Sequence, residues 1–187
     1  MSLISTTELR QAAQGIRLAV FDVDGVLTDG RIVLGPAGEE YKQFHVRDGH
    51  GLVMLRDSGV ALAVITGRDS SVVAHRMAEL GVRYLYQGRR DKLAALQDLC
   101  VESGIAPIHI CYVGDDLPDI PVLRAVGLSI AVADAHPAVV AVAHFRTQAA
   151  GGFGAAREVA ELIMIAQGTM ATACPELGML ASAFEPP

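Results

Sequence analysis

The chain has 187 residues, 51% of them hydrophobic, 19% charged and 5% aromatic, with no tryptophan. That length suits one domain able to bury a core without disulfide or metal staples, and the apolar excess excludes a disordered or linker-rich protein. Fifteen Lys and Arg against twenty-one Asp and Glu leave a formal charge of -6, so there is no basic footprint for nucleic acid or an anionic membrane and any bound anion must be held locally.

The first residues carry Glu8, Arg10 and Arg17 in place of an unbroken apolar run, which speaks against a secretory leader. No window supplies the roughly 18 uninterrupted apolar residues of a membrane span, so no membrane partner is expected and the cytoplasm is the expected compartment. Leu18 to Phe21 reads as a first buried strand. Residues 31–34 and 39–44, around the turn Gly35-Pro36-Ala37-Gly38, read as a β-hairpin inserted after it. Further strands are expected at 60–65, 84–86, 108–113 and 128–132, and helices at 52–58, 70–80, 92–102 and 117–125, from the spacing of their apolar residues. Strand and helix in alternation predict an α/β fold, a mostly parallel sheet covered on both faces. After Glu161 the chain becomes poor in charge and ends in Pro186-Pro187, which predicts a helix followed by a tail, residues 169–187, either mobile or docked on a partner.

Cys100, Cys111 and Cys174 are far apart with no CxxC pair and read as reduced thiols, and the six histidines show no HxH or HExxH spacing. Gly151-Gly152-Phe153-Gly154 is a weak match to a dinucleotide loop, with Arg157 at the third-glycine position.

In an open parallel sheet, ligands bind at the carboxyl ends of the strands. Those ends carry Asp22-Val23-Asp24-Gly25, Thr66-Gly67-Arg68 and Gly114-Asp115-Asp116-Leu117-Pro118-Asp119, with Lys92 at a helix start between the second and third. A carboxylate can attack phosphorus only if a divalent cation and positive donors offset the repulsion between two anions. Asp22 and Asp115 are hard oxygen ligands suited to Mg²⁺. Thr66 and Lys92 can hold phosphoryl oxygens, and Asp24, two residues past Asp22, can serve as acid and then base. Singly, each of these has a plain reading as a cap, a turn or a solvated residue, and Arg68 and Arg76 could lie on an exposed helix face. Together and in order they point to phosphoryl transfer through an aspartate.

The set Asp22-x-Asp24-Gly25, Thr66-Gly67-Arg68, Lys92 and Gly114-Asp115-Asp116-x-x-Asp119 resembles the four motifs of the haloacid dehalogenase superfamily of phosphatases. The resemblance implies a Rossmann-like three-layer sandwich with a central parallel sheet, Mg²⁺ dependence and an aspartyl-phosphate intermediate. It assigns Asp22 as nucleophile, Asp24 as acid/base with its backbone carbonyl on the metal, Asp115 as the third metal ligand, and Asp116 and Asp119 to orienting metal waters or Lys92. The gaps between motifs hold a hairpin and a helix, then a helix and a short strand, which leaves no room for a separate cap domain; the chain reads as one hydrolase domain over 1–187. A finer resemblance, carried by FDVDGVLTDGRI, FHVRDGHG, ITGR, LYQG, YVGDDLPD, VGLSIAVADAHP and GGFGAAREV, is to the capless 3-deoxy-D-manno-octulosonate 8-phosphate phosphatases of lipopolysaccharide precursor synthesis.

That family implies a homotetramer with the hairpins at its centre, a substrate loop on His45-Val46-Arg47-Asp48-Gly49, and anion-binding positions at Arg68 and Arg76 beside Lys92. A phosphorylated sugar acid, with a carboxylate and a phosphate, suits such arginine forks. The sequence departs from the family's pattern at His45, where asparagine is expected, and at Phe153, which interrupts a Gly-Gly-Arg-Gly. Other readings of the same scaffold are a sugar-acid 9-phosphate phosphatase, a small nucleotidase or, in a different class, a phospho-receiver module. The Asp-x-Asp pair on the first strand argues against the receiver.

Overall fold

The structure is a computed structural model that describes residues 5–173; Cys174 and the rest of the expected tail lie outside the described residues. The short apolar runs form β1 (Leu18–Phe21), β4 (Ala61–Ile65), β5 (Tyr84–Tyr86), β6 (Ile110–Gly114), β7 (Leu128–Ala131) and β8 (Phe145–Arg146), which join in one sheet in the order β5-β4-β1-β6-β7-β8. Every pairing in it is parallel, with β1 in the middle, Phe21 against Val64 of β4 on one side and Val113 of β6 on the other. The chain leaves β1 for β4 and β5, then crosses back to β6. The switch point therefore falls between β4 and β6, at the end of β1, where a parallel sheet opens a ligand crevice.

Alternate strand residues feed two cores, as the period of two demands. Ala19, Phe21, Leu62, Val64, Cys111 and Val113 pack with α1 (Thr6–Gln14), α2 (Val46–Asp57), α3 (Ser71–Glu79) and α7 (Ala155–Gln167). Leu18, Val20, Ala63, Ile65, Ile110 and Tyr112 pack with α4 (Lys92–Ser103), α5 (Ile120–Leu123) and α6 (Pro137–Val140). The result is the expected three-layer sandwich, with both faces of the sheet dry.

Several boundaries differ from the pattern reading, each for a local reason. The helix expected at 52–58 begins at Val46, because His45 caps it through Nδ1 and two glycines inside it are tolerated by close packing. The expected helix 117–125 splits into a 3₁₀ turn, Leu117–Asp119, and the short α5, since Pro118 and Pro121 cannot donate to a continuous ladder. The strand expected from Ile108 starts at Ile110, after a 3₁₀ turn over Pro107–His109. Helix α1, which the pattern reading passes over, is fixed by a Ser5–Glu8 capping box and buries Leu9 and Ala13. Helix α7 starts seven residues ahead of the charge-poor run, and a last short helix α8 (Met170–Ala173) follows Gly168. The hairpin is present but small: β2 (Val33–Leu34) pairs antiparallel with β3 (Glu40–Tyr41). Among the described residues no separate folded unit covers the carboxyl ends of the strands.

Candidate active site

Asp22, the first residue past β1, projects from the centre of the rim and is 6% exposed. Its Oδ1 accepts from the backbone N–H of Val23, and its Oδ2 lies 2.7 Å from Lys92 Nζ. Lys92 gets there because Asp91 caps α4 by accepting from Ala94 N–H, which sets the lysine at the first helical position, facing β1. Its ammonium also donates to Asp119 Oδ1 at 2.6 Å. That carboxylate is fully engaged: Oδ1 accepts from the Tyr112 hydroxyl too, and Oδ2 from the backbone N–H groups of Asp115 and Asp116. Asp119 is thus a scaffold for Lys92 and for the turn bearing Asp115.

Asp115 is different. One oxygen of Asp22, Asp115 and Asp119 each can be chosen so that all lie within 4.8 Å of one another, yet Asp115 Oδ1 is buried with no hydrogen-bond partner. A buried carboxylate oxygen without a donor is costly unless something cationic completes it. Burial, with the carboxylates of Asp22 and Asp119 adding to it, pushes the Asp115 pKa up to about 8. Burial likewise lifts Asp22 to about 6, against the pull of Lys92. For Lys92 burial works in the opposite direction, but Asp22 and Asp119 outweigh it and hold the ammonium above its ordinary pKa. This concentration of negative charge fits a hard divalent cation held by Asp22 and Asp115, with Asp119 already saturated.

Gly25 closes the site from below. Its φ is +91° and a Cβ there would sit 2.1 Å from Asp115 Oδ2, so both backbone shape and space require glycine. Gly151 has a similar reason: a Cβ would sit 1.7 Å from the Gly25 carbonyl oxygen. The Gly151-Gly152-Phe153-Gly154 segment is therefore a close backbone-to-backbone seat for the first motif, sealed by Gly152 N–H on the Val26 carbonyl.

Asp22, Asp24, Thr66, Arg68, Lys92, Asp115 and Asp116 line one cleft of about 430 Å³. Thr66, past β4, is 2% exposed there.

Residues 84–156 match the haloacid dehalogenase-like hydrolase family. The chain is 50% identical over 165 residues to the 3-deoxy-D-manno-octulosonate 8-phosphate phosphatase KdsC of Salmonella typhi, a match spanning 88% of each protein. The chain belongs to this phosphatase family. It is also 51% identical over 158 residues to the Escherichia coli K12 relative, covering 84% of each. Among solved structures, the phosphatase of that name from Moraxella catarrhalis, in complex with magnesium ion, phosphate ion and a KDO molecule, superposes with a TM-score of 0.90 at 43% identity, over 92% of this chain and 99% of that one. A probable phosphatase of the YrbI family from Pseudomonas syringae also gives 0.90, at 48% identity over 92% and 98%.

The structure brings the phosphatase motifs together and sets most of the expected substrate loop elsewhere. Val46 to Gly49 form the first turn of α2 and are not a loop. His45, Asp48, Gly49 and Arg76 line a separate small cavity of about 10 Å³ with Phe44 and Met77, while Val46 and Arg47 are exposed outside both linings. Asp48, 2% exposed, accepts from the N–H groups of Gly154 and Arg157 and so caps α7, whose own N-cap is a glycine without a side chain to do it. Arg76 pairs with Glu79 at 2.7 Å and packs against Gly49, but its Nε is buried without a partner.

Pattern reading missed Tyr112, whose hydroxyl on a wholly apolar strand was the available signal, and Arg90, which lines the catalytic cleft next to the α4 cap. It also missed the hairpin's contribution: Lys42 donates to Asp24 Oδ1, and Arg68 donates to Glu40 at 2.8 Å.

Proposed function

We propose that this protein is a Mg²⁺-dependent phosphatase that converts 3-deoxy-D-manno-octulosonate 8-phosphate to the free sugar acid and phosphate. The observation that carries the reading is the unpartnered Asp115 oxygen beside the buried Asp22–Lys92 pair, in one cleft with Thr66. Mg²⁺ bound by Asp22, Asp115 and the Asp24 carbonyl supplies charge neutralisation for two anions brought into contact. Lys92 and the Thr66 hydroxyl hold the phosphoryl oxygens. An Asp22 oxygen attacks phosphorus, the bond from phosphorus to the sugar oxygen breaks, and Asp24 donates its proton to that oxygen. Asp24 then takes a proton from water, which attacks phosphorus and breaks the bond to Asp22. Asp119 keeps Lys92 aimed, and Asp116 orients water at the cleft mouth. Arg68, which lines the cleft, recognises the sugar acid, whose carboxylate suits a guanidinium fork.

The same reading takes residues 1–187 as one hydrolase domain that works in the cytoplasm as a homotetramer. Ile32, Val33, Leu34 and Tyr41 of the hairpin, each about half exposed or more, support an assembly that covers them. No helix among the described residues is long and apolar enough to cross a membrane.

The test is phosphate release, with Mg²⁺, from a panel of 3-deoxy-D-manno-octulosonate 8-phosphate, a nine-carbon sugar-acid 9-phosphate, hexose phosphates and nucleoside monophosphates. The eight-carbon acid is expected to give the highest kcat/KM. A preference for nucleotides or for the nine-carbon acid overturns the substrate assignment.

A further inference from the structure

The carboxylate of Asp24 is held differently from that of Asp22. Asp22 is fixed by a neighbouring backbone N–H and by Lys92. Asp24 stands on the loop beyond β1, and among the described residues its only hydrogen bond comes from Lys42, with Arg68 Nε 3.8 Å away. Lys42 follows β3 directly, so by the strand's period of two it shares a face with Glu40 while Tyr41 points away and is 56% exposed. The Lys42 side chain is 1% exposed, and its ammonium lies between Asp24 and Glu40, with Glu40 Oε1 at 3.5 Å. Glu40 in turn binds Arg68 at 2.8 Å. Two acids and two bases thus alternate in a closed network that ties the hairpin to the catalytic loop.

An ammonium withdrawn from water is retained only where carboxylates compensate it, and breaking such a pair frees both the position and the rotamer of its partner. From this placement we propose that Lys42 is a positioning residue, which holds the Asp24 carboxylate in the orientation needed to hand its proton to the departing sugar oxygen, with Glu40 keeping Lys42 and Arg68 in place. The inference rests on the assignment of Asp24 as the acid. A proton donor must lie within hydrogen-bond reach of the oxygen it serves, so a donor left to wander loses part of its contribution while attack on phosphorus is untouched.

The experiment compares kcat/KM, which reports the steps up to departure of the alcohol, on two substrates. The sugar-acid phosphate has an alkoxide leaving group that needs a proton; p-nitrophenyl phosphate releases a phenolate that does not. Lys42→Met is expected to lower kcat/KM on the sugar phosphate by about 10- to 100-fold and on p-nitrophenyl phosphate by less than about threefold. Lys42→Arg, which keeps the cation, is expected to recover most of the difference. Turnover of p-nitrophenyl phosphate reports that the fold and the nucleophile are intact in each variant. Equal losses on both substrates, no loss, or a rise in KM with kcat unchanged on the sugar phosphate each overturn the positioning role. Asp24→Asn run beside them separates the two ideas: if it shows the selective loss and Lys42→Met does not, the acid assignment stands and the role of Lys42 falls. If Asp24→Asn shows no selective loss, the acid assignment fails and takes the inference with it.

Discussion

The rim of the sheet and the hairpin above it solve opposite problems. At the rim, Asp22, Lys92 and Asp119 are all but buried and satisfy one another, and only Asp115 keeps an oxygen free. In the hairpin, Glu40 and Lys42 point at the rim, whereas Ile32, Val33, Leu34 and Tyr41 are bare. Among the described residues, the buried carboxylates of the rim find partners within the chain, Asp115 Oδ1 excepted. The hairpin is divided: Glu40 and Lys42 on one face are committed to Arg68 and Asp24, while Val33 and Tyr41, paired on the other face, are exposed. Chemistry is thus built on the rigid sheet, and what adjusts it is carried on a small insertion with few neighbours of its own.

Removing the nucleophile tests the rim most severely. Asp22→Asn is expected to lower kcat by on the order of 10⁴-fold or more with the fold retained, and steady-state phosphate release checks it; residual turnover near the wild-type level would remove Asp22 from the mechanism. Lys92→Met leaves Asp22 and Asp119 buried without their cation, a loss of about 3–5 kcal/mol of stability as well as of phosphate binding. Its unfolding in urea, set against wild type, reads that directly.

Gly25→Ala drives a methyl group into Asp115 and forces a non-glycine residue to φ +91°. A large fall in Mg²⁺ affinity by titration is expected, with a stability loss of about 1–3 kcal/mol.

The pH dependence follows from the raised carboxylates. Asp22 and Asp115 hold protons in the folded chain up to about pH 6 and 8, above their unfolded values. Without metal the folded state therefore binds more protons than the unfolded one, and their contribution to stability, full at low pH, is lost as pH rises through 6 and then 8. Mg²⁺ needs both carboxylates ionised, so the gain in Tm on adding it should grow over the same range. Chelation should abolish turnover, and a Mg²⁺-induced Tm gain that is flat with pH would refute the assignment of these two acids to the cation.

The gentlest perturbation belongs to the hairpin's outer side. Val33→Glu with Tyr41→Glu, a cross-strand pair on the face opposite Glu40 and Lys42, should shift the mass measured by light scattering towards smaller species, while altering kcat on p-nitrophenyl phosphate by less than about threefold. An unchanged mass would show that these residues are not an interface.

By itself the sequence determined the alternation of strands and helices, because buried parallel strands must be short continuous apolar runs, and it placed Asp22, Thr66, Lys92 and Asp115 at strand or helix ends where a sheet presents ligands. Those residues were legible because each follows an element whose direction is set by local pattern. What only the tertiary structure decided depends on partners distant in sequence. Asp48 proves to cap α7, more than 100 residues away, through Gly154 and Arg157. Asp119 is distinguished from Asp115 by which donors reach it. Lys42 meets Asp24 only because the hairpin folds back over the first strand's end. Periodicity reports which face a residue occupies; which charge stands opposite it is set by the packing of the whole chain.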